Sequence, residues 1–560
     1  MRNFFKRLFQ YDEKIDYQFI ISETSNNIPE SEFEKKDNTK VSPNLSLNLE
    51  YLKSKYNMLI NSDIKIRDFV LPIKSKNFSA FLLYVDGMVD GDNINDFILE
   101  PLLLKNSITM QMQNQDTHKT PSKNISVKRV KKFNLEDFIY NGLIPQNSIS
   151  KETDFSKIVA KVNAGFCALF VDTLDTAFCI EAKGFKGRSV SEPVSESVLK
   201  GAQEAFVENI RTNTSLLRKI INNEKLIIEE TDVGKISKTK VAICYLKDIT
   251  NEDLIAETKY RINNLDIDYL LSAGQLEQFI ADDPKSAFPQ IVSTERPDRT
   301  CNYLLTGRVA ILINGAPYAL VVPGMLIDFL TSPEDMNLNY LYANFLRIIR
   351  SIALIISLTL PGLYVAITNY HHELIPTELL FAMITARQAI PFPIIFEILL
   401  MEFSFELIQE ASIRVSSSFS TTVGIIGALI LGEAAVSANI VSPVLIIVVA
   451  STGICGFAIT DKSLWYAARM FRFLYTILGY MAGFLGIALG FFIHFIILSC
   501  TTSFGVPYFS PYIPFSHEPK NSDTYYMNPI WKREKRSSTF NTKKPLEEDP
   551  VSMKWRQNDK

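Results

Sequence analysis

The chain of 560 residues has room for two to four domains, and its nearly balanced charge, formally −3, leaves no electrostatic footprint for nucleic acid. Its composition, 47% hydrophobic and 21% charged, averages two unlike halves: residues 1–345 mix polar and apolar positions, whereas 351–500 are dominated by long uncharged runs. Six scattered cysteines (Cys167, Cys179, Cys244, Cys301, Cys455, Cys500) contain no Cys-x-x-Cys pair, which favours buried thiols in a reducing compartment over a disulfide framework or a zinc site.

The first nine residues are basic and aromatic without a long apolar core. They are not a secretory signal and read as a frayed end or a short membrane-surface helix. Residues 1–48 form a flexible lead-in, rich in Ser, Asn, Glu, Lys and Pro from 22 onward. A first α/β subdomain is expected over 49–150. In it, 78–84 reads as a buried strand stopped by the turn Val85-Asp86-Gly87, and 93–104 as a helix. The polar, basic stretch 111–132 has no periodicity and reads as a loop or junction. A second α/β subdomain, 151–345, repeats the theme. Its expected elements are strands 165–171 and 176–182, an amphipathic helix over 197–222, strand 240–246, helix 251–263 and a hairpin over 306–323 turning at Asn314-Gly315. Strands alternating with helices give this half an α/β fold. It carries no phosphate-binding glycine loop, no dinucleotide fingerprint, no His-Glu-x-x-His and no ordered nucleophile–base set. No enzymatic activity, cofactor or metal is therefore expected. His371-His372-Glu373 reads as a solvated turn.

Residues 346–500 read as an α-helical, multi-span transmembrane domain. The uncharged run 351–368 is long enough to span, with Pro361-Gly362 marking a kink. The apolar stretch 375–400 carries Glu378, Arg387 and Glu397, and its spanning is open. After Pro391 and Pro393 an acidic helix is predicted over 394–415, in which Glu402, Glu406 and Glu410 recur every four residues and share one face. Unpaired in hydrocarbon, such carboxylates cost several kcal/mol. Their face is either solvated at the interface or serves, with Glu397, as an ion path or coupling element. Glu433 lies between apolar runs, either within the membrane or at its surface. Residues 473–500 form the longest apolar run, and Gly479, Gly483, Gly486 and Gly490 put a glycine stripe on one face of it. Close packing explains the stripe, and so does assembly with copies or partners; His494 reads as a hydrogen-bonded packing residue. Arg347, Arg350, Lys462, Arg469 and Arg472 argue that the α/β half and the 461–472 loop are cytoplasmic. The polar tail 501–560, with ten Lys and Arg from Lys520 onward, favours the same side. A single crossing by 473–500 contradicts that, and a re-entrant or broken helix removes the contradiction.

These features together resemble the A subunit of GerA-type spore germination receptors over nearly the whole chain. The most specific matches are Pro391-Phe-Pro-x-x-x-Glu397, Met401-Glu402, Phe405-Glu406-Leu407-Ile408, Glu410-Ala411 and Arg414. They continue through Gly424 to Ala428, Ala434-Ala435-Val436, Ile440-Val441-Ser442-Pro443 and Ser503-Phe504-Gly505-x-Pro507-Tyr508. The soluble half adds Arg188, Glu192-Pro193, Asn213-x-x-Leu216-Leu217-Arg218, Glu295-Arg296-Pro297-Asp298 and Gly307-Arg308. The sequence departs from the family pattern at Glu433, where Gln is usual, at Ser416, where Pro is usual, and over Lys200 to Gln203. The resemblance implies a spore inner-membrane protein acting with a transporter-like B subunit, which binds the nutrient, and a lipoprotein C subunit. It also implies an oligomeric, pentameric cation channel opened by nutrient, with the α/β half on the core side. The other readings are a secondary transporter of ions or small nutrients, and a membrane-anchored scaffold for receptor assembly.

Overall fold

The computed structural model describes residues 19, 21, 39–73, 76–105, 135–146, 148–184, 192–193, 195–414, 432–510, 526–533 and 535–546. An α/β unit comprises 1–281, 293–323 and 536–547, and a helical unit comprises 282–292, 324–535 and 548–560.

In the α/β unit, β1 (Ile64–Ile73), β2 (Lys76–Val85), β3 (Ile149–Glu152), β4 (Phe166–Val171) and β5 (Ala177–Glu181) form one antiparallel sheet in the order β1-β2-β4-β5-β3. Side chains alternate across it. Ala80 and Leu82 enter one core with Leu71, Leu169 and the helical stretch 91–105, while Phe81 and Leu83 enter another with α1 (Leu45–Lys55) and α2 (Phe155–Asn163). With both faces covered, β2 reads as a continuous apolar run, and this is why it is legible in the sequence. β1 is not among the sequence expectations. Because β2 pairs with β4, the first subdomain runs through Glu181 and not to 150 as expected. The expected loop 111–132 lies outside the described residues.

A second five-stranded sheet contains β6 (Leu226–Val233), β7 (Thr239–Leu246), β8 (Val292–Thr294), β9 (Val309–Ile313) and β10 (Ala319–Val322) in the order β6-β7-β9-β10-β8. Gly315 takes φ +89° at the expected turn between β9 and β10. The expected helix over 197–222 is corrected: α3 runs only from Ile210 to Ile220, capped by Asn209, whose side chain accepts from Arg211 N at 2.8 Å. Upstream, backbone groups find tertiary partners instead of a helical ladder. Phe206 N donates to Glu295 O at 2.8 Å, and the Asn213 side chain brackets Val207 through its N–H and its C=O at 2.8 and 2.6 Å. Further helices are α4 (Glu252–Asn263), α5 (Ala273–Ile280) and α6 (Pro297–Leu305).

One ion pair locks the two sheets together. Arg218 of α3, 2% exposed, donates through Nε and Nη2 to both oxygens of Asp63 at 2.5 and 2.9 Å. It also donates to Asn61 Oδ1 at 3.2 Å and to Leu226 O at 3.1 Å. Cys167, Cys179, Cys244 and Cys301 are buried in this unit. Burial raises all four thiols, Cys179 to about 12 and the others further. A thiol reacts as its thiolate. A maleimide reagent is therefore expected to leave these four unmodified at neutral pH until the unit is unfolded, while the exposed Cys500 reacts. Mass spectrometry of the labelled chain checks this.

The helical unit contains α7 (Tyr340–Tyr370), α8 (Thr377–Arg387), α9 (Ile394–Arg414), α10 (Pro443–Phe457) and α11 (Lys462–Cys500). Tyr364 and Val365 of α7, Ile394, Ile398 and Met401 of α9, and Leu445 and Val449 of α10 share its core. By length and composition α7 and α11 are apolar enough to cross a membrane. The stretch 375–400 is not one segment, because the chain breaks around Pro391-Phe392-Pro393 between α8 and α9. Residues 415–431, and with them most of the run 423–438, lie outside the described residues.

The longest apolar run is not a straight helix. Gly483 has φ 60° and ψ −138° inside α11, and the helix doubles back there into arms 462–482 and 484–500, roughly 30 and 25 Å long. Tyr475 Oη and His494 Nδ1 are 2.8 Å apart, where a straight helix would separate these residues by roughly 28 Å. Phe471 and His494 rings meet edge to face at 4.2 Å. Both ends of α11 reach one segment: the Thr460 hydroxyl donates to Phe329 O at 3.2 Å, and Leu326 N donates to Tyr508 O at 3.0 Å. The break at Gly483 brings the residues flanking the two ends of the helix, Thr460 and Tyr508, to the same short segment.

Candidate coupling and ion-path site

The acidic helix starts where sequence places it. Pro391 and Pro393 lie in the break before it, and Pro393 O accepts from Phe396 N at 2.9 Å and Glu397 N at 3.2 Å as the first turn of α9. Glu397 is 2% exposed, accepting from Arg387 Nη2 at 3.0 Å and from Ser442 N at 3.3 Å. Ser442 also caps α10, with Pro443 as its first residue. Glu397 thus ties three elements together.

Glu402 and Glu406 face α11. Arg469 Nε donates to Glu406 Oε2 at 2.7 Å and Arg472 Nη2 to Glu406 Oε1 at 2.5 Å. Arg472 Nε lies 3.6 Å from Glu402 Oε1, beyond hydrogen-bond range, and Glu402 is 1% exposed. Glu410, one turn further, is exposed, and so is Glu433. The three carboxylates of the predicted face therefore have different surroundings: one buried, one doubly paired and one exposed. Arg469 and Arg472 are the functional candidates that sequence reasoning missed. Their signal is a basic pair three residues apart, on one helix face, leading an apolar run. By sequence alone the pair serves equally as a topology marker. Arg347 and Arg350 are likewise consumed by an ion pair: both donate to Asp335, which is fully buried, at 3.2 and 2.8 Å. Arg414 ends α9, and its side chain lies outside the described residues.

The glycine stripe packs within the chain. A Cβ on Gly479 would lie 2.4 Å from Gly362 O of α7, and one on Gly486 would lie 2.1 Å from Leu478 O. Gly490 meets Tyr475 and Leu478 side chains, and Gly483 makes the turn beside Tyr370 and His371. His371 stacks on Phe484 at 4.4 Å. Among the described residues, no three His, Cys, Asp or Glu side chains are grouped to hold a metal ion.

In the α/β unit, Arg296 and Asp298 form a cradle. Arg296 is fully buried and forks onto Asp298 at 3.1 and 2.8 Å, then reaches Glu196 O at 3.1 Å and Ala202 O at 2.7 Å. Glu295 accepts from the Ser195 hydroxyl at 2.7 Å and from Glu196 N at 2.9 Å, and Arg299 pairs with the Glu196 carboxylate at 2.6 Å. These residues hold the irregular segment that replaces the expected helix. Each hydrogen bond to a charged group contributes about 1.5–3 kcal/mol, so Arg296→Ala is expected to raise limited proteolysis within 195–209 by at least about tenfold. Digestion of the folded chain at fixed protease checks this.

The family model for the Bacillus/Clostridium GerA spore germination protein matches residues 50–539. Spore germination protein KA of Bacillus subtilis (strain 168) is 34% identical over 496 residues, covering 89% of this chain and 86% of that one. Spore germination protein GerLA of Bacillus cereus is 32% identical over 81% of this chain and 87% of its own length. The uncharacterized membrane protein YfkQ of Bacillus subtilis (strain 168) is 35% identical over 91% and 94%. A crystal structure of the N-terminal domain of the A subunit of the Bacillus megaterium spore germinant receptor GerK3 aligns at 27% identity with a TM-score of 0.36, over 51% of this chain and 98% of that one. With a family match spanning both units and relatives matched over most of their length, the chain belongs to the GerA spore germination protein family.

Proposed function

We propose that this chain is the A subunit of a nutrient germinant receptor and triggers germination by passing cations through an oligomer, a pentamer by the family resemblance. In this reading it sits in the spore inner membrane as a multi-pass protein with the α/β unit on the core side. Its partners are a transporter-like B subunit and a lipoprotein C subunit. The observation that carries the reading is the set of carboxylates and guanidiniums held inside a bundle of apolar helices, in a chain whose relatives are named for spore germination. A bare anchor needs no buried charge, and charged side chains among apolar helices mark ion or substrate pathways. The described glycines and aromatic contacts close the helices on one another, and Glu433 stays on the exposed surface.

The test is germination of spores lacking the gene, with nutrient and non-nutrient triggers compared and cation release followed. Loss of the nutrient response alone is expected. A normal nutrient response, with no acceleration when the chain is overproduced, overturns the reading. For conduction itself, spores carrying Glu402, Glu406 and Glu410 all as Gln are expected to accumulate the protein but release cations poorly. Wild-type release removes the conducting role from α9.

A further inference from the structure

The α9–α11 contact is unevenly paired. Two guanidiniums, Arg469 and Arg472, converge on Glu406, while Glu402 one turn earlier is 1% exposed and neither of its oxygens has a hydrogen-bond partner among the described residues. Arg472 Nε also lacks a hydrogen bond, and it lies 3.6 Å from Glu402 Oε1. Thr476, one turn beyond Arg472, donates its hydroxyl to the Arg472 carbonyl at 3.0 Å. On the remaining side, the Phe405 ring of α9 packs against Gly453 of α10, whose only titratable side chain is Cys455. Among the described residues, the charges that face Glu402 are therefore Arg472 and Glu406, with Arg469 acting through Glu406.

Formally the cluster holds two negative and two positive charges, so its net charge does not require the uneven sharing. If Arg472 moved from Glu406 to Glu402, Arg469 would still neutralise Glu406, and each carboxylate would have one guanidinium. Each arrangement has one cost. The present one leaves a buried carboxylate without a hydrogen bond, and the other gives up one of the two guanidiniums on Glu406. Two packings separated by one side-chain exchange make a bistable element.

We propose that Arg472 is a two-position latch between α9 and α11, with Glu406 as its present seat and Glu402 as the second, and that exchange between them moves the two helices against each other. The latch needs Glu402 without a hydrogen-bonded guanidinium in one state and Glu406 satisfied by Arg469 in both. It assigns opposite effects to two neighbouring carboxylates on one helix face. Glu402→Gln removes the second seat and holds Arg472 on Glu406. Glu406→Gln releases Arg472 to Glu402. Arg469→Gln leaves Arg472 as the sole partner of Glu406, so it should act like Glu402→Gln.

The experiment uses the full chain in lipid vesicles, with spin labels on cysteines introduced at Phe403 and Met470, which are 61% and 54% exposed, and with Cys455 and Cys500 replaced. Glu402→Gln and Arg469→Gln are expected to shift the inter-label distance one way and Glu406→Gln the other, by about 1–2 Å. In spores, the same variants should change the germination rate in opposite directions by about tenfold. The spore arm rests on the germination reading and the distance arm does not. Opposite distance shifts with unchanged germination uphold the latch and count against the proposed function. Distances that do not move, or that move the same way in all three variants, overturn the latch. Arg469→Gln keeps the test decisive if Glu402→Gln fails to accumulate, and Glu406→Ala does so if Glu406→Gln fails.

Discussion

Replacing Arg218 with alanine is expected to destabilise the α/β unit by about 3–5 kcal/mol, a large share of what a domain has. The truncation leaves Asp63, 1% exposed, as an uncompensated buried carboxylate between the two sheets. It also removes a donor from Asn61 Oδ1 and from the Leu226 carbonyl, both held by the same guanidinium. Asn61 keeps one tie to the second sheet, accepting from Ile228 N at 3.2 Å, and the Ser62 hydroxyl keeps another to Ile228 O at 3.0 Å. The sheets should therefore loosen at this seam before either one melts. Arg218→Met with Asp63→Leu is expected to recover part of the loss, because it removes both charges together, but not all of it, since Asn61 stays underpaired. Denaturant unfolding of the full chain, with proteolysis at the seam as a second readout, measures both. A single variant within about 1 kcal/mol of wild type would mean that the pair does not lock the sheets.

What sequence could reveal here follows the range of the interaction that decides each feature. β2, β4, β5 and the hairpin at Gly315 are set by apolar runs and turn residues a few positions apart, and they fall where expected. α9 begins after Pro393 for the same reason. The helix expected over 197–222 fails because Glu295 and Arg296, about 100 residues away, satisfy the backbone that a helix would have used. The carboxylates of α9 were legible as a face, but their partners Arg469 and Arg472 lie more than 60 positions downstream. No local pattern distinguishes a basic pair that faces water from one that faces Glu406. The glycine spacing points to a contact surface without naming what it meets. Whether it met a copy, a partner or its own helix depended on the backbone turn at Gly483, which a run of helix-compatible apolar residues hides.

That turn makes the second large expectation. Gly486→Ala is expected to open the α11 hairpin and to cost about 3 kcal/mol or more, because the new Cβ would sit 2.1 Å from the Leu478 carbonyl oxygen, a backbone atom that cannot swing aside. Gly483→Ala should act in the same direction for a different reason: φ 60° with ψ −138° is a conformation that side chains rarely adopt, at about 1–3 kcal/mol. Gly274→Ala is the contrast. It lies in α5 with nothing within 4 Å of a new Cβ, and alanine there should be neutral or stabilising by up to about 1 kcal/mol. Thermal unfolding of the full chain ranks the three. The hairpin has a further consequence that stability alone does not report. With both ends of α11 anchored at 326–331, an impermeant maleimide should reach Cys500 and a cysteine introduced at Lys462 from the same side of a sealed vesicle. If the two positions label from opposite sides, α11 crosses as a single span, and the close contacts of Tyr475 with His494 do not form in the membrane.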